Sequence, residues 1–450
     1  MTSGAIFPKL VKFSLPLILS SILQLLFNAA DIVVVGRYAG ENSLAAVGST
    51  SSLVNLLVGL FLGLGIGCNV LAANYIGAGK KRALNRTVHT SILLGLIGGI
   101  LLTFVGVCFS RQMLILMSTP RDVLPLAPLY LKVFFGGITA SVLYNFGAAL
   151  LRAKGDTKRP LYILLIAGLL NVILNLIFVI VFKMDVAGVA FATVLSQLFA
   201  ASCVIYILFN EEEAFRLDLK KLRLDRAIFI RIVRIGLPAG LQGMLFSFSN
   251  MVIQSSVNSF GAVMVAGNSA AQSVEGFVYI SMNSFAQAIL TFAGQNMGAH
   301  RLDRIKRLVV ISEFLVIAIG LSLGLTSLFF GRKILSIYSE NPDVIEAGML
   351  RLTVILATYF TCGMMDSMAS AIRGVGHSIM PMVITLIGAC GFRIIYLFTF
   401  FRIPRFHTFQ SIFYSYPLSW ILTFAFLSAS FIHIMRSISK EWQKSTRADA

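Results

Sequence analysis

The chain is poor in charged residues, and this shortage excludes several classes of protein. Asp, Glu, Lys and Arg make up 12% of the 450 residues, whereas a soluble domain carries roughly a quarter, so an ordinary cytosolic enzyme is excluded. Proline is also scarce, at 11 residues, while 57% of the residues are hydrophobic and the mean hydropathy is +0.86. So high an apolar content excludes a disordered chain and indicates a membrane protein.

Motifs for metal, nucleotide or redox chemistry are missing. The sequence has five cysteines without a Cys-x-x-Cys pair, and its five histidines form no cluster, so neither a disulfide framework nor a zinc site is indicated. It has no phosphate-binding P-loop, because Gly79-Lys80 is followed by Lys81 rather than by Ser or Thr. We therefore expect no catalytic residue, no bound metal and no cofactor.

Apolar runs long enough to cross a bilayer recur along the whole chain. A transmembrane helix needs about 20 apolar residues, and in hydrocarbon its backbone polar groups must pair within the helix. We predict an all-α integral membrane protein with twelve spans, the first of them a retained span rather than a cleaved signal. The predicted spans are 11–35, 44–73, 87–109, 123–151, 160–182, 187–209, 234–258, 265–295, 308–330, 344–372, 381–401 and 411–435.

Lysine and arginine are concentrated in alternate gaps between the spans. With the N-terminus inside, 26 of them lie in cytoplasmic segments and eight in external loops. This is the positive-inside bias, so we predict a multi-pass protein of the cell (inner) membrane with both termini in the cytoplasm. The same bias accounts for the net charge of +18, and we do not expect nucleic acid as a partner.

The chain contains an internal repeat at an offset of 221 or 222 residues. For example, Leu15-Pro16 matches Leu237-Pro238, and Asn28 matches Asn250. Each half holds six spans, an even number, so the two repeats enter the membrane from the same side and are parallel. Transporters place substrate and ion sites near such repeat interfaces. The predicted parts are an N-lobe at 1–209 (spans 1–6), a cytoplasmic linker at 210–233 whose basic stretch predicts an interfacial helix, and a C-lobe with a cytoplasmic tail at 234–450 (spans 7–12).

Acidic residues inside the spans are the strongest candidates for function, because an ionisable group in hydrocarbon costs roughly a few kcal/mol. They are Asp31 in span 1, Glu275 in span 8 and Asp366 in span 10. Polar residues at helical spacing accompany the acids: Gln24 and Asn28 on span 1, Asn171 and Asn175 on span 5, and Thr193 and Gln197 on span 6. The alternative for each is structural, as a buried ion pair or as a hydrogen bond between helices.

Several longer motifs occur in a fixed order. They are Leu15-Pro16, Asn28-Ala29-Ala30-Asp31 with Gly36, Ala73-Asn74-Tyr75-Ile76-Gly77-Ala78-Gly79, Leu151-Arg152-Ala153-Lys154-Gly155-Asp156-Thr157, Asn171 to Asn175, Gly188 to Gln197, and Gly294-Gln295-Asn296-Met297-Gly298-Ala299. Together they resemble the multidrug and toxic compound extrusion (MATE) family of secondary transporters over essentially the whole chain. The resemblance implies two six-helix lobes forming a V around a central cavity. It also implies alternating access and export of cationic amphipathic compounds in exchange for H⁺ or Na⁺.

The resemblance also assigns an ion-coupling site to the N-lobe. Asp31 matches the first-helix acid of that site, Asn171 its fifth-helix amide and Thr193 its sixth-helix hydroxyl, and we add Asn28 on the Asp31 face. Asn175 falls where many members carry a second Asp, which leaves Asp31 as the one ionisable group of the site.

Further roles concern movement and the substrate. Pro16 matches the proline where span 1 bends, and a proline lacks the backbone N–H that a straight helix needs. Some branches of the family carry an acid in span 7, which is absent here, so Glu275 and Asp366 are the residues that could supply the charge of a second-lobe site. For substrate binding we predict Gln24, Gln197, Glu275 and Asp366.

Other functions stay open at this point. A flippase for lipid-linked saccharides would use Lys132, Arg351 and Arg393 to hold a pyrophosphate, although the acids inside the spans argue against it. A membrane transferase would show clusters of Asp, His and Arg in its loops, whereas the loops of this chain are short and basic. A channel is a further alternative. We predict cationic amphipathic small molecules and the lipid bilayer as partners, and a monomer.

Overall fold

The computed structural model describes residues 1–39, 41–116, 124–212 and 214–448, and these residues form helices and turns without a strand among them. The all-α prediction is therefore confirmed. The helices are α1 (Ile6–Tyr38), α2 (Glu41–Gly77), α3 (Lys81–Leu116), α4 (Ala127–Gly136), α5 (Ile138–Lys154), α6 (Lys158–Leu176), α7 (Asp185–Phe209), α8 (Arg226–Asn258), α9 (Ala262–Gly298), α10 (Leu302–Phe329), α11 (Gly331–Leu335), α12 (Pro342–Thr358), α13 (Phe360–Gly374), α14 (Ile379–Thr385), α15 (Phe392–Phe398) and α16 (Phe409–Ala448). A π-helical turn follows α6 at Ile177–Val181, and another joins α14 to α15 at Leu386–Gly391.

Ten candidate membrane spans are long and apolar enough to cross a bilayer, and two bent helix pairs raise the number to as many as twelve. The pairs are α4 with α5 and α12 with α13, each bent by 48°. Every one of the twelve predicted runs overlaps one of these helices or pairs, although residue 123, the predicted start of span 4, lies outside the described residues. The first bend falls at Gly137, where glycine is a weak helix former.

The chain forms two compact units. The first unit is Leu15–Gly240, and the second unit combines Met1–Ser14 with Leu241–Ala450. Helices α1 and α8 each contribute to both units, and they change from one to the other beside Pro16 and Pro238, which match in the repeat. The units therefore differ from the predicted lobes, 1–209 and 234–450, because Met1–Ser14 belongs to the second unit and the first unit continues to Gly240.

Glycines let α2 and α8 pack backbone to backbone within the first unit. A Cβ on Gly63 would meet the backbone of Gly240, and a Cβ on Gly67 would meet the carbonyl group of Ile232. Small residues at a helix contact allow this approach in membrane proteins. The contact explains why the first part of α8 belongs to the first unit.

The basic stretch at 216–234, predicted as an interfacial helix, is helical only from Arg226, where α8 begins. The described residues of the segment 210–225 contain a single 3₁₀ turn at Leu219–Lys221. The backbone of this segment pairs with α3 instead, because Asn85 Nδ2 donates to the Arg216 carbonyl at 3.1 Å and His89 Nε2 accepts the Asp218 N–H at 3.0 Å. Side-chain partners of this kind compete with helical hydrogen bonds.

Glu211 ties the start of this segment to the first unit. Its carboxylate accepts a hydrogen bond from Lys154 Nζ at 2.6 Å and pairs with Arg159 Nη2 at 2.5 Å. Burial by itself raises the pKa of the Glu211 carboxyl, but the two cations outweigh burial and hold this pKa below its usual value. The ion pairs therefore persist at neutral pH.

Candidate functional site

A cavity of about 300 Å³ lies inside the first unit, bordered mainly by α1, α5, α6 and α7. Six residues predicted from the sequence line it, namely Gln24, Asn28, Asp31, Asn171, Thr193 and Gln197. The structure thus brings together polar side chains from three helices that are far apart in the sequence. Their roles in ion or substrate binding stay predictions.

A chain of hydrogen bonds connects the acid of this cavity to the backbone of α7. Asn175 Nδ2 donates to Asp31 Oδ1 and, at 3.3 Å, to Asn171 Oδ1. Asn171 Nδ2 in turn donates to Thr193 Oγ1 at 3.4 Å, and Thr193 Oγ1 donates to the Val189 carbonyl at 3.0 Å. Asn175 is fully buried, so its amide holds the half-buried Asp31 carboxylate from the protein interior.

Helical spacing and one glycine create this arrangement. Gln24, Asn28 and Asp31 recur at intervals of four and three residues on α1, so they share one face. A Cβ on Gly168 of α6 would overlap the ring of Phe27. The missing side chain therefore lets the Asp31 face of α1 lie close to the amides of α6.

Two of these polar residues carry unpaired amide oxygens: Gln197, which lines the cavity, and Asn175, which bonds Asp31 without lining it. The two oxygens, Asn175 Oδ1 and Gln197 Oε1, are buried without a hydrogen-bond partner among the described residues. The residues that line the cavity include no Lys, Arg or His. A carboxylate beside unpaired amide oxygens is a suitable environment for a proton or a small hard cation, which prefers oxygen ligands. No group of three or more His, Cys, Asp or Glu is gathered in the part of the chain that the structure describes.

Pro16 lies inside α1, which continues past it as one helix. Its carbonyl accepts a hydrogen bond from Ser20 Oγ at 2.8 Å. Proline supplies no N–H to the preceding turn, and α1 passes from the second unit to the first at this point. The hinge role of Pro16 stays a prediction.

Glu275 lies in the second unit, where a partner neutralises its charge. Arg351 Nε and Nη2 donate to the two Glu275 carboxylate oxygens at 2.8 and 2.7 Å, and Arg351 Nη1 donates to Asn268 Oδ1 at 2.8 Å. Both charged side chains are 5% exposed. Sequence reasoning missed this pairing, because the two residues lie on different spans and no local pattern connects them.

Asp366 is also in the second unit, and its hydrogen-bond partners differ from those of Glu275. It accepts a hydrogen bond from Tyr279 Oη at 3.2 Å, and Asn283 Nδ2 donates to the same Tyr279 oxygen at 3.4 Å. The two acids therefore have separate polar partners. Their predicted part in substrate binding stays a prediction.

Comparison with known proteins identifies the family. The MatE family profile matches residues 16–177 and again residues 238–399, which repeats the internal offset of the sequence. The chain is 27% identical over 388 residues to YoeA of Bacillus subtilis, named a probable multidrug resistance protein, with 84% of this chain and 83% of that protein covered. YpnP of Bacillus subtilis, also named a probable multidrug resistance protein, is 29% identical over 389 residues, with 86% of each covered.

Solved structures share the fold. A crystal structure of MATE in the bent conformation covers 97% of both chains with a TM-score of 0.89 at 21% identity. The named relatives do not favour the flippase interpretation. The chain belongs to the MatE family, whose members are membrane transporters and not enzymes.

Proposed function

We propose that this transporter exports cationic amphipathic compounds in exchange for H⁺ or Na⁺, and that Asp31 is its coupling residue. The observation that carries the proposal is the Asp31 carboxylate in a cavity whose lining is free of basic residues, with unpaired amide oxygens on its partner Asn175 and on Gln197 of the lining. The negative charge of Asp31 attracts a cation, and the lining contains no basic side chain that would repel it. The multidrug resistance names of the relatives support export as the direction of transport.

Ion exchange at Asp31 would change the hydrogen bonds of Asn175. As a carboxylate, Asp31 accepts the Asn175 amide proton; once protonated, it carries a donor of its own. The unpaired Asn175 Oδ1 is an acceptor available to that donor. Sodium would instead bind to the carboxylate and amide oxygens. Either event acts on α1, where Pro16 has already removed one backbone hydrogen bond.

About 300 Å³ is at the lower end of the range for small-molecule pockets, and the cavity is partly open. It can therefore admit an ion or the cationic group of a larger substrate. A cationic group of the substrate, held near Gln24 and Gln197, would compete with the ion for the charge of Asp31. Competition of this kind gives exchange transport by simple exclusion.

Orientation and oligomeric state belong to the same proposal. The excess of Lys and Arg in alternate loops supports cytoplasmic termini in the cell inner membrane. We also propose a monomer as the transporting species.

The test is ethidium retention in cells that produce the wild type or Asp31→Asn. Asn keeps the size of Asp and one acceptor oxygen but cannot titrate, so we expect normal insertion and loss of efflux. The matched control is Asp185→Asn. Asp185 is exposed, and its φ of 47° is a conformation that Asn tolerates, so this variant should export ethidium like the wild type. Full efflux by Asp31→Asn at equal membrane abundance would refute the assignment.

A further inference from the structure

The two halves of the chain carry different charges at matching positions. The two matched family segments start at residues 16 and 238, and this offset takes Asn171 to Arg393 and Asp31 to Ile253. The same offset takes Gln24 to Phe246 and, continued beyond the ends of the matched segments at residues 177 and 399, Val194 to Tyr416 and Gln197 to Ser419. All three counterparts are neighbours of Arg393. The counterpart of the acidic cavity therefore has a basic group and no acid at the position of Asp31.

Arg393 lies in an aromatic cage inside the second unit and is 1% exposed. Its guanidinium carbon is 4.2 Å from the ring centroid of Tyr416, 5.5 Å from that of Trp420 and 5.8 Å from that of Phe246. Its Nε donates to Ser419 Oγ at 2.9 Å. Its Nη2 is buried without a hydrogen-bond partner in the described part of the chain.

Arg351 shows how a structural arginine is compensated in the same region. It binds both carboxylate oxygens of Glu275 and the amide oxygen of Asn268. Its guanidinium carbon also lies 5.5 Å from the Tyr416 ring centroid, so two guanidinium groups share this ring. Within the described residues, only one carboxylate, that of Glu275, is within ion-pair distance of either group. Asp366 attracts Arg393 only from beyond ion-pair distance. A buried guanidinium group without a carboxylate in contact is costly, and in a membrane span it indicates a functional group.

We propose that Arg393 binds the carboxylate of an amphipathic aromatic substrate. A guanidinium group matches a carboxylate in charge and in geometry, and the rings of Phe246, Tyr416 and Trp420 supply stacking surfaces beside it. Because the rings cover Arg393 here, we expect the ligand to bind in another state of the transport cycle. The inference rests on the proposed export function only because it takes the ligand to be a substrate. It adds a carboxylate to the cationic compounds proposed above.

The experiment compares tetramethylrhodamine, which has a free carboxylate, with its methyl ester, which lacks the negative charge. Fluorescence anisotropy titrations use the purified full chain in detergent, so the result does not depend on ion coupling. We expect the wild type to bind the acid about tenfold more tightly than the ester, as a charged hydrogen bond would give. Arg393→Gln should remove the preference, and Arg393→Lys should retain part of it. Lys132→Gln is the matched control, because it removes an exposed cation of another span, and it should keep the full preference.

Three results would overturn the proposal. The first is that the wild type binds the acid no more tightly than the ester, or does not bind the acid detectably. This result does not depend on the folding of any variant. The second is an unchanged preference in Arg393→Gln that elutes as a folded protein in gel filtration. The third is an Arg393-dependent thermal stabilisation by chloride, measured against gluconate, without any preference for the dye acid, because the site would then bind a free anion only.

Discussion

Breaking the buried pair between Glu275 and Arg351 should destabilise the protein strongly. In the wild type the guanidinium group makes two hydrogen bonds of 2.8 and 2.7 Å to the carboxylate, and both side chains are 5% exposed. Glu275→Gln removes the negative charge but leaves the arginine buried. The variant therefore creates an unpaired charge in the interior of the second unit.

The size of the effect follows from this burial. Removing one partner of a buried ion pair costs about 3–5 kcal/mol, because the remaining charge has lost its counter-charge. For a unit of this size, each kcal/mol lowers the Tm by roughly 2–4 °C. We therefore expect the Tm of Glu275→Gln to fall on the order of 10 °C.

The assay is thermal unfolding of the purified protein in detergent, with Arg351→Gln and the double variant measured beside Glu275→Gln. The double variant removes both charges, so its loss of stability should be smaller than the sum of the two single losses. Glu346→Gln is the matched control. Glu346 pairs with Arg332 at 2.8 Å, but these side chains are 56% and 69% exposed, and exposed pairs contribute about 0–1 kcal/mol.

An equal Tm for Glu275→Gln and Glu346→Gln would refute this reasoning. The double variant also tests the prediction that Glu275 binds substrate. If it folds and exports ethidium like the wild type, Glu275 is structural. If it folds and loses export, the pair of Glu275 and Arg351 has a part in transport beyond stability.

Three further predictions concern the linker, helix packing and topology. Glu211→Gln should lower the free energy of unfolding by about 1 kcal/mol, because both cationic partners stay partly exposed. Since these partners hold the pKa of Glu211 below its usual value, the ion pairs of the wild type stabilise it fully at neutral pH and are lost as the pH falls below about 4.5. Unfolding at a series of pH values measures this loss. Gly63→Ala should lower the free energy of unfolding by about 1–3 kcal/mol, because the new Cβ forces α2 away from the backbone of α8. Gly59→Ala is the control: no atom lies within 4 Å of its new Cβ, so this variant should unfold at or above the wild-type Tm. Cys in place of the exposed Gly261 should react with a membrane-impermeant maleimide from outside intact cells, and Cys in place of the exposed Lys81 only after permeabilisation; the reverse pattern would invert the topology.

The spans and the first-unit cavity could be predicted because their signals are local or recur at fixed spacing. Apolar runs mark each membrane helix, and intervals of three and four residues place Asn28 beside Asp31 and Asn171 beside Asn175. The resemblance to the MATE family then assigns these two pairs, on spans 1 and 5, to one ion site. Asn28, Asp31 and Asn171 line the first-unit cavity and Asn175 bonds Asp31, whereas ion binding there stays a prediction.

Other features have no local signal. The partner of Glu275 lies on a different helix, so nothing in the neighbouring sequence distinguishes a buried ion pair from a free substrate-binding acid. The bend at Gly137 leaves the apolar run uninterrupted. The basic pattern of 216–234 forms a helix only from Arg226, whereas hydrogen bonds to Asn85 and His89 of α3 hold the backbone before it.

Dye efflux from proteoliposomes under separately imposed gradients tests the coupling role of Asp31 most directly. We predict that the wild type drives efflux under a pH gradient or a Na⁺ gradient, and that Asp31→Asn, at equal reconstitution, fails under the same gradient. Asp185→Asn should match the wild type under both. Gradient-driven efflux by Asp31→Asn at the wild-type rate would contradict the coupling role of Asp31 and would move coupling to the acids of the second unit.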